Sequence, residues 1–147
     1  MTATATLHID LDALAHNFRA LEAMTGVPVH PVVKADSYGL GAVPCARRLM
    51  QEGARTFFIA RAAEGIALRT ALGPDPVIYV LDGCVGDTAP ALKAAGLRPV
   101  LNHADQLAAW NRTGGGACGI QIDTGMNRLG FRPEDAPAPF EGLSLVM

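Results

Sequence analysis

Short runs of apolar, often β-branched residues recur along the chain and alternate with stretches that have the spacing of amphipathic helices. Each run is too short for a helix and is bounded by Gly, Pro, Asp or Asn, which favours strands. The pattern predicts six strands, at 29–34, 56–60, 77–80, 98–101, 118–122 and 143–147. It also predicts a first helix between the caps Asp10 and Gly26, and further helices at 42–52, 61–72, 87–95 and 103–111, the last with Asn102 as its cap.

Alternation of strand and helix with short connections predicts an α/β fold, with parallel strands in either an open doubly wound sheet or a barrel. Polar residues stand where the strands end: Lys34, Arg61, Asp82, Asn102 and Asp123. Such a set favours the barrel, because the C-terminal rim of an eight-stranded barrel carries its chemistry. Helix capping is the alternative explanation for Asn102 and Asp82, but it does not explain Lys34 or Arg61.

The strand count is short of a closed barrel, because about six strands are predicted and a (β/α)8 or TIM barrel needs eight. The chain also stops inside its last apolar run, at 143–147, where an unpaired edge would be an aggregation hazard. We therefore expect residues 1–147 to form one domain, the incomplete N-terminal part of a parallel barrel that continues in a longer protein.

Composition excludes several classes of function. The 147 residues are 50% hydrophobic and carry a formal net charge of -2 without a basic cluster, so neither nucleic acid nor an anionic membrane is an expected partner. Secretion signals and apolar stretches of membrane-spanning length are not apparent, which predicts a cytoplasmic protein. The three cysteines form no CxxC pair and the histidines lack metal-ligand spacing, so we expect reduced, packed thiols and no metal site.

Lys34 is the first candidate for chemistry. It ends an apolar run, where partial desolvation would favour the neutral amine that attacks an aldehyde, although a lysine can also simply mark the solvent end of a strand. The residues from Lys34 to Gly41 are predicted to form a glycine-bearing loop, in which Tyr38 can donate its hydroxyl to a phosphate oxygen and Gly39 and Gly41 allow the backbone to approach a ligand. Amine and phenol together suit a phosphorylated aldehyde, and pyridoxal phosphate is such a ligand.

A second candidate segment covers residues 120–131. Ile120 and Ile122 would face one side of a strand and Gln121 the other. Arg128 would then project from the following loop onto the rim that carries Lys34, where a guanidinium can bind a carboxylate or a phenolate oxygen. The alternative is a surface ion pair between Arg128 and a nearby acid, Glu134 or Asp135.

Three segments resemble the alanine racemases. Residues 32–42 are similar to the family's pyridoxal-phosphate attachment signature, residues 123–130 to its second hallmark, and residues 8–14 with Asn17 to its start. The resemblance implies an α/β barrel that carries pyridoxal phosphate, followed by a mostly β C-terminal domain, in a homodimer. It implies that Lys34 is the Schiff-base lysine and the base for the D-alanine face, that Tyr38 binds the cofactor phosphate, and that Arg128 lies near the phenolic oxygen and the substrate carboxylate.

The chain departs from the family pattern at Asp36 and Leu40, where Asn and His are frequent, and at Gln121, where many members have a carbamylated lysine. A neutral amide cannot supply the carbamate's charge but can accept a hydrogen bond from Arg128. The family's opposite base is a tyrosine of the partner's C-terminal domain, which these residues do not supply.

The expected function is racemisation of L-alanine and D-alanine, which supplies D-alanine for peptidoglycan. The 147-residue chain alone is expected to be inactive. Two alternatives remain: a barrel that binds pyridoxal phosphate without turnover, and a cofactor-free Schiff-base aldolase.

Overall fold

The computed structural model describes residues 5–147. Helices and strands alternate along them: α1 (Leu11–Thr25), α2 (Lys34–Tyr38), α3 (Ala42–Gln51), β1 (Thr56–Ile59), α4 (Ala62–Leu72), β2 (Val77–Val80), α5 (Ala89–Ala94), β3 (Arg98–Leu101), α6 (Ala104–Arg112), β4 (Cys118–Ile120), a 3-10 helix (Pro133–Asp135) and β5 (Leu143–Val146). The α/β class is therefore confirmed. No helix within residues 5–147 is both long enough and apolar enough to cross a membrane.

The five strands form one parallel sheet in the order β1-β2-β3-β4-β5. Sequence order and spatial order therefore coincide across the described residues, whereas a doubly wound sheet reverses its strand order at a switch point. The sheet is open. Because all the strands are parallel, their C-terminal ends lie at one edge of the sheet, where the polar residues of the sequence pattern lie.

The first predicted strand, 29–34, is only partly formed. Val32 makes an isolated parallel bridge to Phe58, supported by hydrogen bonds from Val33 N to Phe58 O and from Phe58 N to Pro31 O, both 2.9 Å. Pro31 has no N–H to donate, so the ladder cannot continue through it. The segment therefore pairs with β1 in parallel at one position, and the predicted strand length was wrong.

The loop predicted from Lys34 to Gly41 is also corrected, because its first part is the helical segment α2. By contrast, α1 begins behind Asp10, whose side chain accepts hydrogen bonds from Asp12 N and Ala13 N at 2.9 Å, and it ends at Gly26 with φ 67°. The proline-containing stretch after Arg132 begins with the 3-10 helix Pro133–Asp135.

Asn102 is not a helix cap. Helix α6 begins at Ala104 behind His103, and the Asn102 side chain instead donates to Leu81 O at 3.0 Å and Val100 O at 2.9 Å. Asn102 is buried, and the carbonyls that accept from its amide lie in β3 and directly after β2. Its side chain therefore ties the end of β2 to β3.

The two faces of the sheet have different roles. The main core lies between the sheet and the helices and includes Phe57, Ile59, Ile78 and Val80 from the strands. The opposite face carries a smaller apolar cluster centred on Phe58, Tyr79 and Val100. Burial on both faces is typical of parallel sheets, and Phe58 on the second face lines the floor of the cavity described below.

The cysteines belong to the packed interior. Cys45, Cys84 and Cys118 are all free and buried, which confirms the prediction of packed thiols. Burial raises the pKa of Cys84 and of Cys118 to about 11, so neither is a reactive thiolate at neutral pH.

Candidate functional site

A cavity of about 660 Å³ opens at the C-terminal ends of the strands. This volume is in the range of sites for small molecules and cofactors. The polar and bulky side chains of its wall come from separate parts of the chain: Lys34, Tyr38, Leu81, Asp82, Gln121 and Arg128. The structure therefore brings the three site residues of the sequence analysis into one cavity, while their roles remain predictions.

Lys34 enters the cavity at the junction between the bridging segment and α2. Val33 before it is buried in the core and hydrogen-bonded to β1, whereas Lys34 itself is half-buried. Within residues 5–147 the ammonium makes no ion pair. The amine is thus fixed at its base by the sheet and available to a ligand at its tip.

Segment α2 is left-handed. Ala35, Asp36, Ser37 and Tyr38 have φ of 49°, 53°, 54° and 56°, although none of them is glycine. Each such residue costs roughly 1–2 kcal/mol relative to the right-handed conformation. A run of four therefore needs restraint from its surroundings, and strain of this kind concentrates at ligand-binding sites.

Part of the restraint comes from hydrogen bonds within the segment and the residues after it. Gly39 N donates to Ala35 O at 3.1 Å and Gly41 N donates to Asp36 O at 2.8 Å. The Asp36 carboxylate accepts from Ala42 N at 2.6 Å, which caps α3. Gly41, at φ 90°, has no room for a side chain because a Cβ would lie 2.9 Å from Pro44 Cγ. The glycines predicted to permit close backbone approach thus complete the turn.

A further restraint comes from Glu64 in the first turn of α4. One carboxylate oxygen accepts from Ala35 N at 2.9 Å, and the other accepts from Ala60 N at 2.9 Å and Arg61 N at 3.0 Å. Partial burial acts to raise the pKa of Glu64, but the three backbone hydrogen bonds outweigh it and hold the pKa below its usual value. Glu64 therefore joins the end of β1 to the segment after Lys34.

The loop that carries Arg128 is organised by Asp123. The Asp123 carboxylate accepts from Gly125 N at 2.9 Å and from Asn127 N at 3.1 Å, and these backbone bonds lower its pKa. The loop is closed at its base by Asp123 N to Phe131 O and Phe131 N to Gln121 O, both 2.8 Å. Arg128 is exposed at the tip of a loop whose two ends are fixed.

The side chain of Gln121 holds this loop through a hydrogen bond to the backbone of the loop. Its Nε2 donates to Leu129 O at 2.9 Å, and no ion pair of Arg128 with Glu134 or Asp135 occurs within the described residues. The surface ion pair considered for Arg128 is therefore not formed. The Gln121 amide restrains the position of Arg128 through the backbone of the next residue. Gln121 faces the cavity and Ile120 the core, as the strand alternation predicts.

The remaining polar residues of the rim have mixed roles. Asp82 lines the cavity and lies 3.8 Å from Arg61, whose side chain is 81% exposed and belongs to a neighbouring cavity of about 360 Å³. Asp82 does not cap a helix, because α5 begins behind Thr88. Among residues 5–147 there is no group of three or more His, Cys, Asp or Glu side chains that could hold a metal ion.

Two residues with clear roles at the site were missed from the sequence. Glu64 stands at the third position of α4, where a glutamate typically reaches back to the helix start, so a capping signal was present. Gln106 donates to Asp82 O at 2.8 Å and thereby fixes the turn after β2. Gln106 stands at the same position of α6, and its Oε1 accepts from Asn102 N at 3.0 Å, so a capping signal was present here too; the bond to Asp82 had no local signal.

The comparison with known proteins decides the family. The family model described as "Alanine racemase, N-terminal domain" matches residues 9–145. The alanine racemase of Dinoroseobacter shibae is 49% identical over 99% of the chain. The chain belongs to the alanine racemase family. It spans 44% of the length of this relative, so it matches less than half of that protein.

Solved structures of alanine racemases have the same fold. The alanine racemase from Bartonella henselae, solved with covalently bound pyridoxal phosphate, matches with a TM-score of 0.79 at 32% identity, over 86% of this chain and 37% of that one. The histidine racemase from Leuconostoc mesenteroides matches with a TM-score of 0.74 at 25% identity, over 85% of this chain and 35% of that one. Racemases of the family thus share this fold while differing in the amino acid for which they are named.

Proposed function

We propose that this chain is the cofactor-binding part of a pyridoxal-phosphate-dependent alanine racemase, which interconverts L-alanine and D-alanine. The observation that carries the proposal is the single cavity onto which Lys34, Tyr38 and Arg128 converge from two distant segments. Membership of the alanine racemase family supports the choice of reaction, and the covalent cofactor of the Bartonella henselae relative supports the choice of cofactor.

The residues of the cavity fit pyridoxal phosphate. The half-buried amine of Lys34 suits its aldehyde, the hydroxyl of Tyr38 suits a phosphate oxygen, and the guanidinium of Arg128 suits an anionic oxygen. The 660 Å³ volume is ample for a cofactor together with a small amino acid. When bound, this cofactor withdraws electrons from the α-carbon of an amino acid and makes its α-proton removable.

In the proposed reaction, Lys34 and Arg128 have separate roles. In our proposal Lys34 takes or returns the α-proton on the face of alanine that gives the D-enantiomer, and its amine in the cavity supports this role. Arg128 holds the substrate carboxylate by paired hydrogen bonds and limits the rotation of alanine in the site. Inversion requires a second base on the opposite face, and in our proposal a tyrosine of the partner subunit provides it.

At the scale of the whole protein, we propose that residues 1–147 are the N-terminal part of a (β/α)8 barrel. The consecutive parallel order of β1 to β5 supports this, since a barrel is built by continuing that order until the edges meet. The proposal also includes a mostly β C-terminal domain, a homodimer, a cytoplasmic location and the supply of D-alanine for peptidoglycan. They rest on family membership and not on contacts in this chain.

The experiment that tests cofactor binding uses the fact that the chain has only two lysines, Lys34 and Lys93. Pyridoxal phosphate is added to the 147-residue chain, the imine is reduced with borohydride, and the labelled peptide is identified by mass spectrometry. We expect the label on Lys34. The label should be absent in the Lys34→Ala variant and present in the Lys93→Arg variant. Lys93 is a suitable control because it lies over the Trp110 ring, away from the cavity. Equal labelling of both lysines would contradict the proposal.

The second candidate is a barrel protein that binds pyridoxal phosphate without turnover. It is favoured by the placement of Lys34 and Tyr38 on the single segment α2, since binding the cofactor needs no more than these contacts. To distinguish the enzyme from the carrier, the full-length protein is incubated with L-alanine and the optical rotation is followed. Racemisation that Lys34→Ala abolishes supports the enzyme, while a reducible label without racemisation supports the carrier. The cofactor-free aldolase is excluded if a visible absorbance band appears with pyridoxal phosphate and disappears on reduction.

A further inference from the structure

We propose that Glu64 is a positioning residue: its carboxylate holds the left-handed segment α2, and so sets where Lys34 and Tyr38 stand in the cavity. The inference rests on the proposed function, in which these two side chains bind the cofactor. Glu64 itself lies outside the set of side chains that line the cavity, so it acts through α2 and not on a ligand.

The need for such a residue follows from the backbone of α2. Four consecutive non-glycine residues, from Ala35 to Tyr38, have positive φ. Left to itself, a segment of this kind would relax toward right-handed or extended conformations. Relaxation would move Tyr38, at the end of the segment, and would change the direction in which Lys34 leaves the sheet. Whatever opposes relaxation therefore also sets the geometry of the cavity.

Glu64 is the side chain that opposes it from outside. Among the hydrogen bonds within residues 5–147, it is the only side chain from another element that bonds to the backbone of α2. The bond reaches Ala35, the residue directly after Lys34 and the first with positive φ. Restraint at the first residue is the most effective, since the direction of every later residue depends on it.

Helix capping alone does not account for this carboxylate. Capping the start of α4 uses one oxygen, which accepts from Ala60 N and Arg61 N. The other oxygen points across to Ala35 N, at 2.9 Å, and contributes nothing to α4. The carboxylate thus bridges the rigid end of β1 and the strained segment, so that the sheet itself fixes α2.

The chemistry of the bridge requires a carboxylate. All three partners are N–H donors, so both oxygens of the side chain must be acceptors. Glutamine has the same shape but replaces one oxygen with an NH2 group, which would face an N–H donor on one side of the bridge. Glu64→Gln therefore breaks one arm of the bridge at almost constant volume.

The test compares Glu64→Gln with Glu22→Gln in the 147-residue chain. Glu22 is the matched control, because its carboxylate also accepts from a backbone N–H, that of Val29 at 3.2 Å, but lies in α1 away from α2. Two quantities are measured: hydrogen exchange of the Ala35 to Gly39 amides without cofactor, and the Kd for pyridoxal phosphate from its absorbance change. We expect Glu64→Gln to speed exchange and to raise Kd about tenfold, the scale of one charge-assisted hydrogen bond. Glu22→Gln should change neither.

A second variant tests the strain directly. Glycine adopts positive φ without cost, so Ala35→Gly removes part of the backbone strain in α2 that Glu64 opposes. The effect of Glu64→Gln on both quantities should therefore be smaller in the Ala35→Gly background than alone. If the single Glu64→Gln variant unfolds, the double variant is compared with Ala35→Gly, and faster exchange and a higher Kd in the double variant are expected. Equal effects in both backgrounds, or effects no larger than those of Glu22→Gln, would overturn the inference. If the unsubstituted chain does not bind pyridoxal phosphate, the proposed function fails, while amide exchange still decides the role of Glu64.

Discussion

At the scale of single residues, two carboxylates organise the backbone around the cavity without being its reactive groups. Glu64 accepts three backbone N–H groups beside Lys34, and Asp123 accepts two in the loop that carries Arg128. Both have lowered pKa values, because hydrogen bonds from the backbone favour the charged form. Each carboxylate orders the main chain beside one side chain of the cavity, Lys34 or Arg128, and within residues 5–147 it forms no ion pair with that side chain.

The Asp123 carboxylate makes the stability of its loop depend on pH. Because folding lowers its pKa from the ordinary 3.8, its contribution is complete above that value and is lost as pH falls through the lower folded pKa. We predict a carboxyl NMR titration midpoint below 3.8 for Asp123. We also predict faster exchange of the Gly125 and Asn127 amides once the carboxylate is protonated. Asp123→Asn should remove this pH dependence. Asp135→Asn, which removes one exposed carboxylate nearby, should leave it in place.

The sequence was a good guide to the side chains that line the cavity and a poor guide to those that hold them in place. Lys34 stands out at a strand end, Tyr38 and Arg128 stand out in the segments that follow predicted strands, and the structure places all three on one cavity. The positive φ of Ala35 to Tyr38 could not be predicted, because none of these residues prefers that conformation. Glu64 was missed for a related reason, since its bond to Ala35 depends on how β1 and α2 meet in space.

At the scale of elements, the strands were predicted more accurately than the connections between them. All five strands of the sheet were found from short apolar runs, since burial on both faces leaves a clear signal. The segment around Val32 failed as a full strand because Pro31 interrupts its hydrogen bonding. Asn102 failed as a cap because buried strand carbonyls compete for its amide. Both errors arise where tertiary contacts override a local signal.

The turn after β2 shows how closely these connections are packed. Gly83 has φ 68°, and a Cβ there would lie 2.2 Å from Gln106 Oε1 and 2.6 Å from the Val100 carbonyl oxygen. We predict that Gly83→Ala lowers the free energy of unfolding by about 2–4 kcal/mol, from backbone strain together with overpacking. Urea denaturation measures the change.

Gly86 provides the matched control in the same connection. It also has positive φ, at 55°, but a Cβ there would meet nothing within 4 Å. Gly86→Ala should therefore cost only the backbone strain, roughly 1 kcal/mol. Equal losses at the two positions would mean that the contact with Gln106 and Val100 is not what excludes a side chain at Gly83.

At the scale of the whole molecule, the sheet is open, with β1 and β5 as its two edge strands among the described residues. The inner strands are buried along most of their length, whereas β5 alternates between partly buried and exposed positions, and Val146 is 56% exposed. An exposed parallel edge with apolar side chains is a surface that pairs readily with another strand. The sequence predicted this openness from its strand count, but it could not choose between barrel and doubly wound sheet from the alternation alone. The observed consecutive order of the five strands supports the barrel that we propose.

The presence of a single proposed base in the cavity leads to a prediction about exchange of the α-proton of alanine. The described residues place the Lys34 amine in the cavity, and the second base in our proposal belongs to a partner subunit's C-terminal domain. With pyridoxal phosphate added, Lys34 alone can remove and return the α-proton of alanine on one face, but it cannot invert the centre. We therefore expect the 147-residue chain in D2O to exchange the α-proton of D-alanine for deuterium with retention of configuration. L-alanine should exchange much more slowly, and neither enantiomer should racemise appreciably.

Proton NMR of the alanine methyl signal measures this exchange, and chiral chromatography measures racemisation. Lys34→Ala should abolish the exchange of D-alanine, while Lys93→Arg should preserve it, since Lys93 contacts Trp110 and Gly115 instead of the cavity. Free pyridoxal phosphate without protein gives the background rate for both enantiomers. Preferential exchange of L-alanine would place the Lys34 amine on the opposite face of the substrate. Racemisation by this chain alone would mean that a second base already lies within residues 1–147. That result would contradict the proposal that the partner subunit provides the second base.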